Sequence, residues 1–179
     1  QTAKIESERT IQMGNGNRGN IMIIKNGLVF TPEGKFEKKD LYVEGEYVAK
    51  ETTDNKEVEA EGCYVIPGLV DIHFHGCVRH DMCDGTEESI QALADYEAAN
   101  GVLAICPATM TIPEEELFQA MKAAKGHKNG KGADFVGINM EGPFINKEKK
   151  GAQKEEDIKL ADVELFHKLQ EAAGGLIKL

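Results

Sequence analysis

From residue 65 onward, strand-like and helix-like segments alternate, and nothing else in the chain constrains its fold as tightly. The stretch Val65-Ile66-Pro67-Gly68-Leu69-Val70-Asp71-Ile72-His73-Phe74-His75-Gly76 is apolar and β-branched, so it reads as a strand covered on both faces. Over 86–100, Ile90, Leu93, Ala94 and Ala98 recur at helical spacing, and Gly101 stands where a residue just past a helix end would. A short strand over 102–106 follows. Thr111-Ile112-Pro113-Glu114 resembles a capping box with proline in the first turn, ahead of a stripe of Leu117, Phe118, Met121 and Ala124. A strand over 135–140, a helix over 162–173 and a strand opening at 176–179 complete the series. The order β-α-β-α-β-α-β predicts an α/β fold with a parallel sheet and right-handed crossovers. An open doubly wound sheet and part of a (β/α)8 barrel both fit. No Gly-x-Gly-x-x-Gly follows the first strand, which argues against dinucleotide binding. A full barrel takes about 250 residues, and residues 65–179 supply four strands.

Residues 21–64 have a different texture. Short strand-like runs are punctuated by Lys25-Asn26-Gly27 and Glu44-Gly45-Glu46, both read as tight turns between paired strands. They predict part of a small β-sandwich. Residues 1–20 are polar and Gly/Asn-rich without periodicity, and are expected to form a disordered leader.

Charge and cysteine usage exclude several function classes. The net charge is −10, with no basic stripe to displace the counterions of a nucleic acid or to hold an anionic membrane. No apolar run approaches the ~20 residues a membrane span needs. Cys63, Cys77, Cys83 and Cys106 form no secreted disulfide framework, so reduced thiols and a cytoplasmic location are expected. Cys77, His80 and Cys83 have part of a zinc spacing but lack a second pair.

In parallel α/β folds, chemistry gathers at the carboxyl ends of strands. His73 and His75 are two apart on such an end, so their imidazoles share a face and can grip one metal ion. Glu141 closes the strand over 135–140 and is followed by Gly142-Pro143-Phe144. A half-buried carboxylate there needs a cation. A metal answers that need, and so does a lysine such as Lys147 or Lys149. If the sheet curves, all three side chains converge on one rim, the arrangement of a metal-dependent hydrolase. Asp71 is placed to orient His73 from one step deeper. His127 and His167 read as surface histidines. The lysine-rich loop 147–153 reads either as a solvated loop or as a set of charges for a phosphate.

These residues resemble a known family. Pro67-Gly68-Leu69-Val70-Asp71-Ile72-His73-Phe74-His75-Gly76 is similar to the first-strand motif of the amidohydrolase superfamily. The segment 139–146, Asn-Met-Glu-Gly-Pro-Phe-Ile-Asn, with Lys149-Lys150-Gly151-Ala152 beyond it, is similar to the N-acetylglucosamine-6-phosphate deacetylase family within it. The resemblance runs from about residue 21 to 179. It implies the first half of a metal-dependent (β/α)8 barrel preceded by part of a small β-sandwich. It implies a divalent metal, zinc or iron, held by Glu141 with His73 and His75, and an amino-sugar phosphate substrate from which acetate is removed. Ala152 and Gln153 fall at substrate-contacting positions, with Gln153 standing where many members carry histidine. The family's two further metal-binding histidines and its aspartate base fall beyond the position matching Leu179, so no catalytic residue is assigned within this chain. By the same analogy the protein is a homo-oligomer, a dimer. Another amidohydrolase, or an inactive fragment that binds metal or a partner, are the alternatives.

Overall fold

The computed structural model describes residues 22–45, 47–52 and 56–179; the leader at 1–20 lies outside them. The described residues between 22 and 68 form one compact unit, and those from Leu69 onward belong to a second. No described helix is long and apolar enough to cross a membrane.

The first unit holds one sheet, built among the described residues from β1 (Met22–Phe30), β2 (Phe36–Glu44), β3 (Tyr47–Ala49), β4 (Glu57–Glu59) and β5 (Tyr64–Val65). Strand β1 pairs antiparallel with β2 along one edge and parallel with β4 and then β5 along the other. The pair Met22 and Val43 stands directly opposite across β1 and β2 and is buried. The hairpin expected around Gly45 is present, with Val43 opposite Val48. The turn expected at Asn26-Gly27 is not. Strand β1 runs straight through it, and the register with β2 shifts between Ile24 and Gly27. Asn26 adopts φ 60°, its N–H donates to Asp40 Oδ1 at 2.9 Å, and its amide donates to Glu59. Asn-Gly tolerates the left-handed backbone that a bulge needs as well as the one a turn needs, so the dipeptide alone does not separate them.

The second unit is the alternating one. Strands β6 (Leu69–Asp71), β9 (Val102–Ile105) and β10 (Asp134–Phe135) are parallel in the order β10-β9-β6. Between β6 and β9 lie the hairpin β7 (Gly76–Cys77) and β8 (His80–Asp81) and helix α1 (Glu87–Ala99). Helix α2 (Glu114–Gly126) joins β9 to β10, and α3 (Val163–Ala172) follows. The expected strand over 135–140 is reduced to β10 and the isolated parallel bridges Ala108 to Asn139 and Ile138 to Ile177, and the one over 176–179 to the second of those bridges. The helices pack on the sheet through Ile90, Leu93, Leu117, Met121 and Leu169 against Ile105, Phe135 and Ile138.

Helix starts follow side-chain chemistry where it is free to act. Thr86 Oγ1 accepts from the Ser89 N–H at 3.1 Å, and Asp162 Oδ1 from that of Leu165 at 3.0 Å, satisfying amides that a first turn leaves orphaned. The capping box expected at Thr111 does not form. Helix α2 begins after Pro113 with no side-chain cap, and three glutamates in its first turn face the dipole instead. Thr111 is engaged elsewhere: its N–H donates to Gln153 Oε1 at 2.6 Å.

The largest departure from expectation is β6. A strand covered on both faces was predicted, yet Leu69, Val70 and Ile72 are 52%, 60% and 54% exposed. Among the described residues strand β6 ends the sheet order, with β9 flanking it on one side. Apolar sequence states what a strand needs; the number of neighbours decides whether it is met.

Candidate metal centre

The backbone beyond β6 stays extended and tied to the strand beside it. Asp71 O accepts from the Cys106 N–H at 2.8 Å and Phe74 O from that of Ala108 at 2.7 Å. That ladder carries His73 and His75 past the end of the sheet with both rings on one side, 5.3 Å apart between centroids. Across β9, Asn139 is held at both backbone groups, donating to Pro107 O at 3.0 Å and accepting from the Thr109 N–H at 2.9 Å. Two residues later Glu141 emerges on the same side.

His73, His75 and Glu141 meet. His75 Nε2 lies 3.2 Å and His73 Nε2 3.5 Å from Glu141 Oε2, and one ligand atom from each residue lies within 4.8 Å of the others. That carboxylate oxygen is buried yet takes part in no hydrogen bond. The ring nitrogens are close to it but are not angled as donors to it. Ligands at about 2.0–2.1 Å from a tetrahedral zinc ion stand about 3.3 Å apart, close to the spacing found here. Two imidazoles and a carboxylate suit zinc or iron alike, so the donor set fits a divalent cation. The lysine alternative for Glu141 is not realised: among the described residues no ion pair joins it to Lys147 or Lys149, and Lys147 pairs with Glu155 at 3.9 Å.

The turn after Glu141 is shaped by contact with Thr111. Gly142 has φ +90°, and a Cβ there would strike the Thr111 hydroxyl. Gln153 fixes Thr111 in turn, from a side chain only 4% exposed. Gln153 therefore props the Glu141 turn through Thr111, with its carbonyl oxygen committed to a backbone amide. Its neighbour Ala152 is exposed.

Several other expectations fall differently. Asp71 does not reach the His73 ring; its Oδ1 accepts from the His73 backbone N–H at 3.0 Å. His80 is turned toward α1, its Nδ1 3.2 Å from Ser89 Oγ, while that hydroxyl donates to Asp84 at 2.9 Å. Cys83 accepts from the Met110 N–H at 3.1 Å, and burial pushes its thiol up to about 12. Among the described residues, Cys77, His80 and Cys83 form no metal-sized cluster. His167 is exposed as expected. His127 is not a surface histidine: it packs edge-on to Phe135 at 5.8 Å, and burial holds its imidazole below the ordinary value.

Sequence reasoning missed Asn139. Its Nδ2 donates to Ile72 O at 2.9 Å and stands 3.1 Å from His73 Nδ1. The signal was available: Asn139 is two residues before Glu141 at the end of the expected strand, where residues two apart share a face.

No family model matches the chain. The N-acetylglucosamine-6-phosphate deacetylase of Bacillus subtilis (strain 168) is 33% identical over 163 residues, covering 88% of this chain and 40% of that protein. The crystal structure of N-acetylglucosamine-6-phosphate deacetylase from Pasteurella multocida superposes with a TM-score of 0.75 at 20% identity, covering 88% of this chain and 43% of the other. That of the Mycobacterium smegmatis enzyme in complex with N-acetyl-D-glucosamine-6-phosphate gives 0.71 at 18% identity, covering 89% and 42%. The chain thus spans about two fifths of the length of the relatives it matches.

Proposed function

We propose that this chain, whose relatives by sequence and by fold are consistently N-acetylglucosamine-6-phosphate deacetylases, carries the amino-terminal part of a metal-dependent amide hydrolase. The complete enzyme removes acetate from N-acetylglucosamine 6-phosphate to give glucosamine 6-phosphate. In this reading residues 65–179 are the first four strands of a (β/α)8 barrel, and residues 21–64 are part of a small β-sandwich. The observation that carries it is the convergence of His73, His75 and Glu141 beyond the carboxyl ends of parallel strands, where this class of fold keeps its chemistry.

Each residue has a distinct part. His73, His75 and Glu141 would hold a divalent ion, zinc or iron. When bound, such an ion supplies Lewis acidity, polarising an amide carbonyl and acidifying water. Glu141 also balances the positive charge. Gly142 and Thr111, braced by Gln153, hold the turn that aims Glu141. Ala152, exposed beside them, is assigned to contact with the sugar phosphate. The general base is assigned to no residue of these 179. The protein is placed in the cytoplasm, as a homodimer acting on a small molecule rather than on nucleic acid or membrane.

Native mass spectrometry of the chain dialysed against zinc tests the site. Bound zinc that Glu141→Gln and His75→Ala each remove supports the assignment. Zinc retained equally by both variants sinks it. A second reading is an inactive fragment that binds metal or a partner. Acetate release from N-acetylglucosamine 6-phosphate separates the two.

A further inference from the structure

The trio has unusual surroundings. A histidine that ligates metal through Nε2 keeps a proton on Nδ1, and that proton is normally given to a carboxylate, carbonyl or water. His75 Nδ1 is buried and has no hydrogen-bond partner among the described residues. His73 Nδ1 faces not an acceptor but the amide nitrogen of Asn139, at 3.1 Å.

The orientation of that amide is fixed from its other side. Asn139 Nδ2 is 2.9 Å from Ile72 O, and a backbone carbonyl can only accept. Turning the amide over would set two acceptor oxygens against each other. The nitrogen therefore belongs where it stands, and its second hydrogen points to His73 Nδ1. An Nδ1 that accepts has no proton, so in the neutral ring the proton sits on Nε2. Nε2 is the atom 3.5 Å from Glu141 Oε2, the one the metal reading needs bare. The Asn139 backbone is pinned at both its N–H and its carbonyl, so the side chain cannot follow a reoriented ring at small cost.

We infer that Asn139 is a positioning residue that holds His73 in the Nε2–H tautomer, so that His75 and Glu141 take a divalent cation first and His73 joins only when the Asn139–Ile72 hydrogen bond breaks. Until then His73 presents a hydrogen-bond donor, suited to an anion or a water oxygen in the site. The inference rests on the metal reading for its consequence and not for the tautomer itself.

The test is histidine-labelled nitrogen NMR of the full chain, with and without zinc, on wild type and Asn139→Ala, alongside zinc titration. Metal-free wild type should show His73 protonated on Nε2, with its Nδ1 signal shifting in Asn139→Ala. One equivalent of zinc should perturb the His75 ring and leave the His73 tautomer unchanged, whereas both rings should respond in Asn139→Ala. Zinc affinity should rise about tenfold in Asn139→Ala, the lower end of what changing an outer partner of a ligand does. His73→Gln should reduce zinc affinity more in the Asn139→Ala background than in wild type. A His73 proton on Nδ1 in the metal-free protein, or an Nδ1 signal indifferent to Asn139→Ala, overturns the inference. So does His73 responding to the first zinc as His75 does. If no zinc binds at all, the metal reading fails while the metal-free spectra still decide the tautomer. If Asn139→Ala does not fold, the wild-type spectra decide it.

Discussion

Strand β6 and the helix-covered part of the same parallel sheet are made of the same kind of residue and meet opposite fates. Ile105 and Ile138 are fully buried under the helices, while Leu69 and Val70, on the strand beside β9, are more than half exposed. Nothing in residue type separates them. The difference is coverage: among the described residues, β9 has a strand on either side, and β6 has β9 alone. A hydrophobic strand therefore announces an environment without supplying it, and an edge with apolar side chains and unpaired backbone groups is a surface for association.

The largest expected effect sets the core against that edge. Leu169→Ala should cost about 2–5 kcal/mol of stability in urea denaturation, through lost burial and the cavity left behind. Val70→Ala should change stability by no more than about 0.5 kcal/mol, and Val70→Lys should lower association in light scattering. An edge variant as costly as Leu169→Ala breaks the comparison. An intermediate effect is expected where polar atoms do the packing. Gln153→Ala strands the buried Thr111 N–H and should cost about 1–3 kcal/mol, measured in the same titration. The smallest effect concerns His127, whose ring packs on Phe135 and whose Nε2 is buried without a hydrogen-bond partner. Burial lowers its pKa in the folded state, so the unfolded chain takes up a proton first as pH falls below about 6.5. Stability should fall from neutral pH toward the folded value, and His127→Asn should flatten that slope.

Much of the second unit was legible because helices and parallel strands repeat at periods that sequence displays. The positions of α1, α2 and α3 and the site trio itself follow from spacing, parity and the rule that strand ends carry chemistry. What sequence could not display was competition for the same group. Thr111 looked like a cap, but a glutamine 42 positions away claims its amide. Asn26-Gly27 looked like a turn, but the β1–β2 ladder continues around it. Asp71 has the parity of an orienting residue, yet its carboxylate closes onto the adjacent backbone. The hairpin β7–β8 was missed for a related reason: its two turn residues are Val78 and Arg79, at φ 46° and 68°, where glycine or asparagine is usual.

The bond from Gln153 to Thr111 also has a meaning in time. It closes a long segment containing all of α2 and β10, a closure entropically harder to reach than any helical turn. Helices can form and dock before it exists, but the Glu141 turn lacks its brace until the loop at 150–153 has come home. The secondary structure and the candidate centre of this chain are thus separable along its folding route: a population can be fully helical while its three ligands are still unassembled.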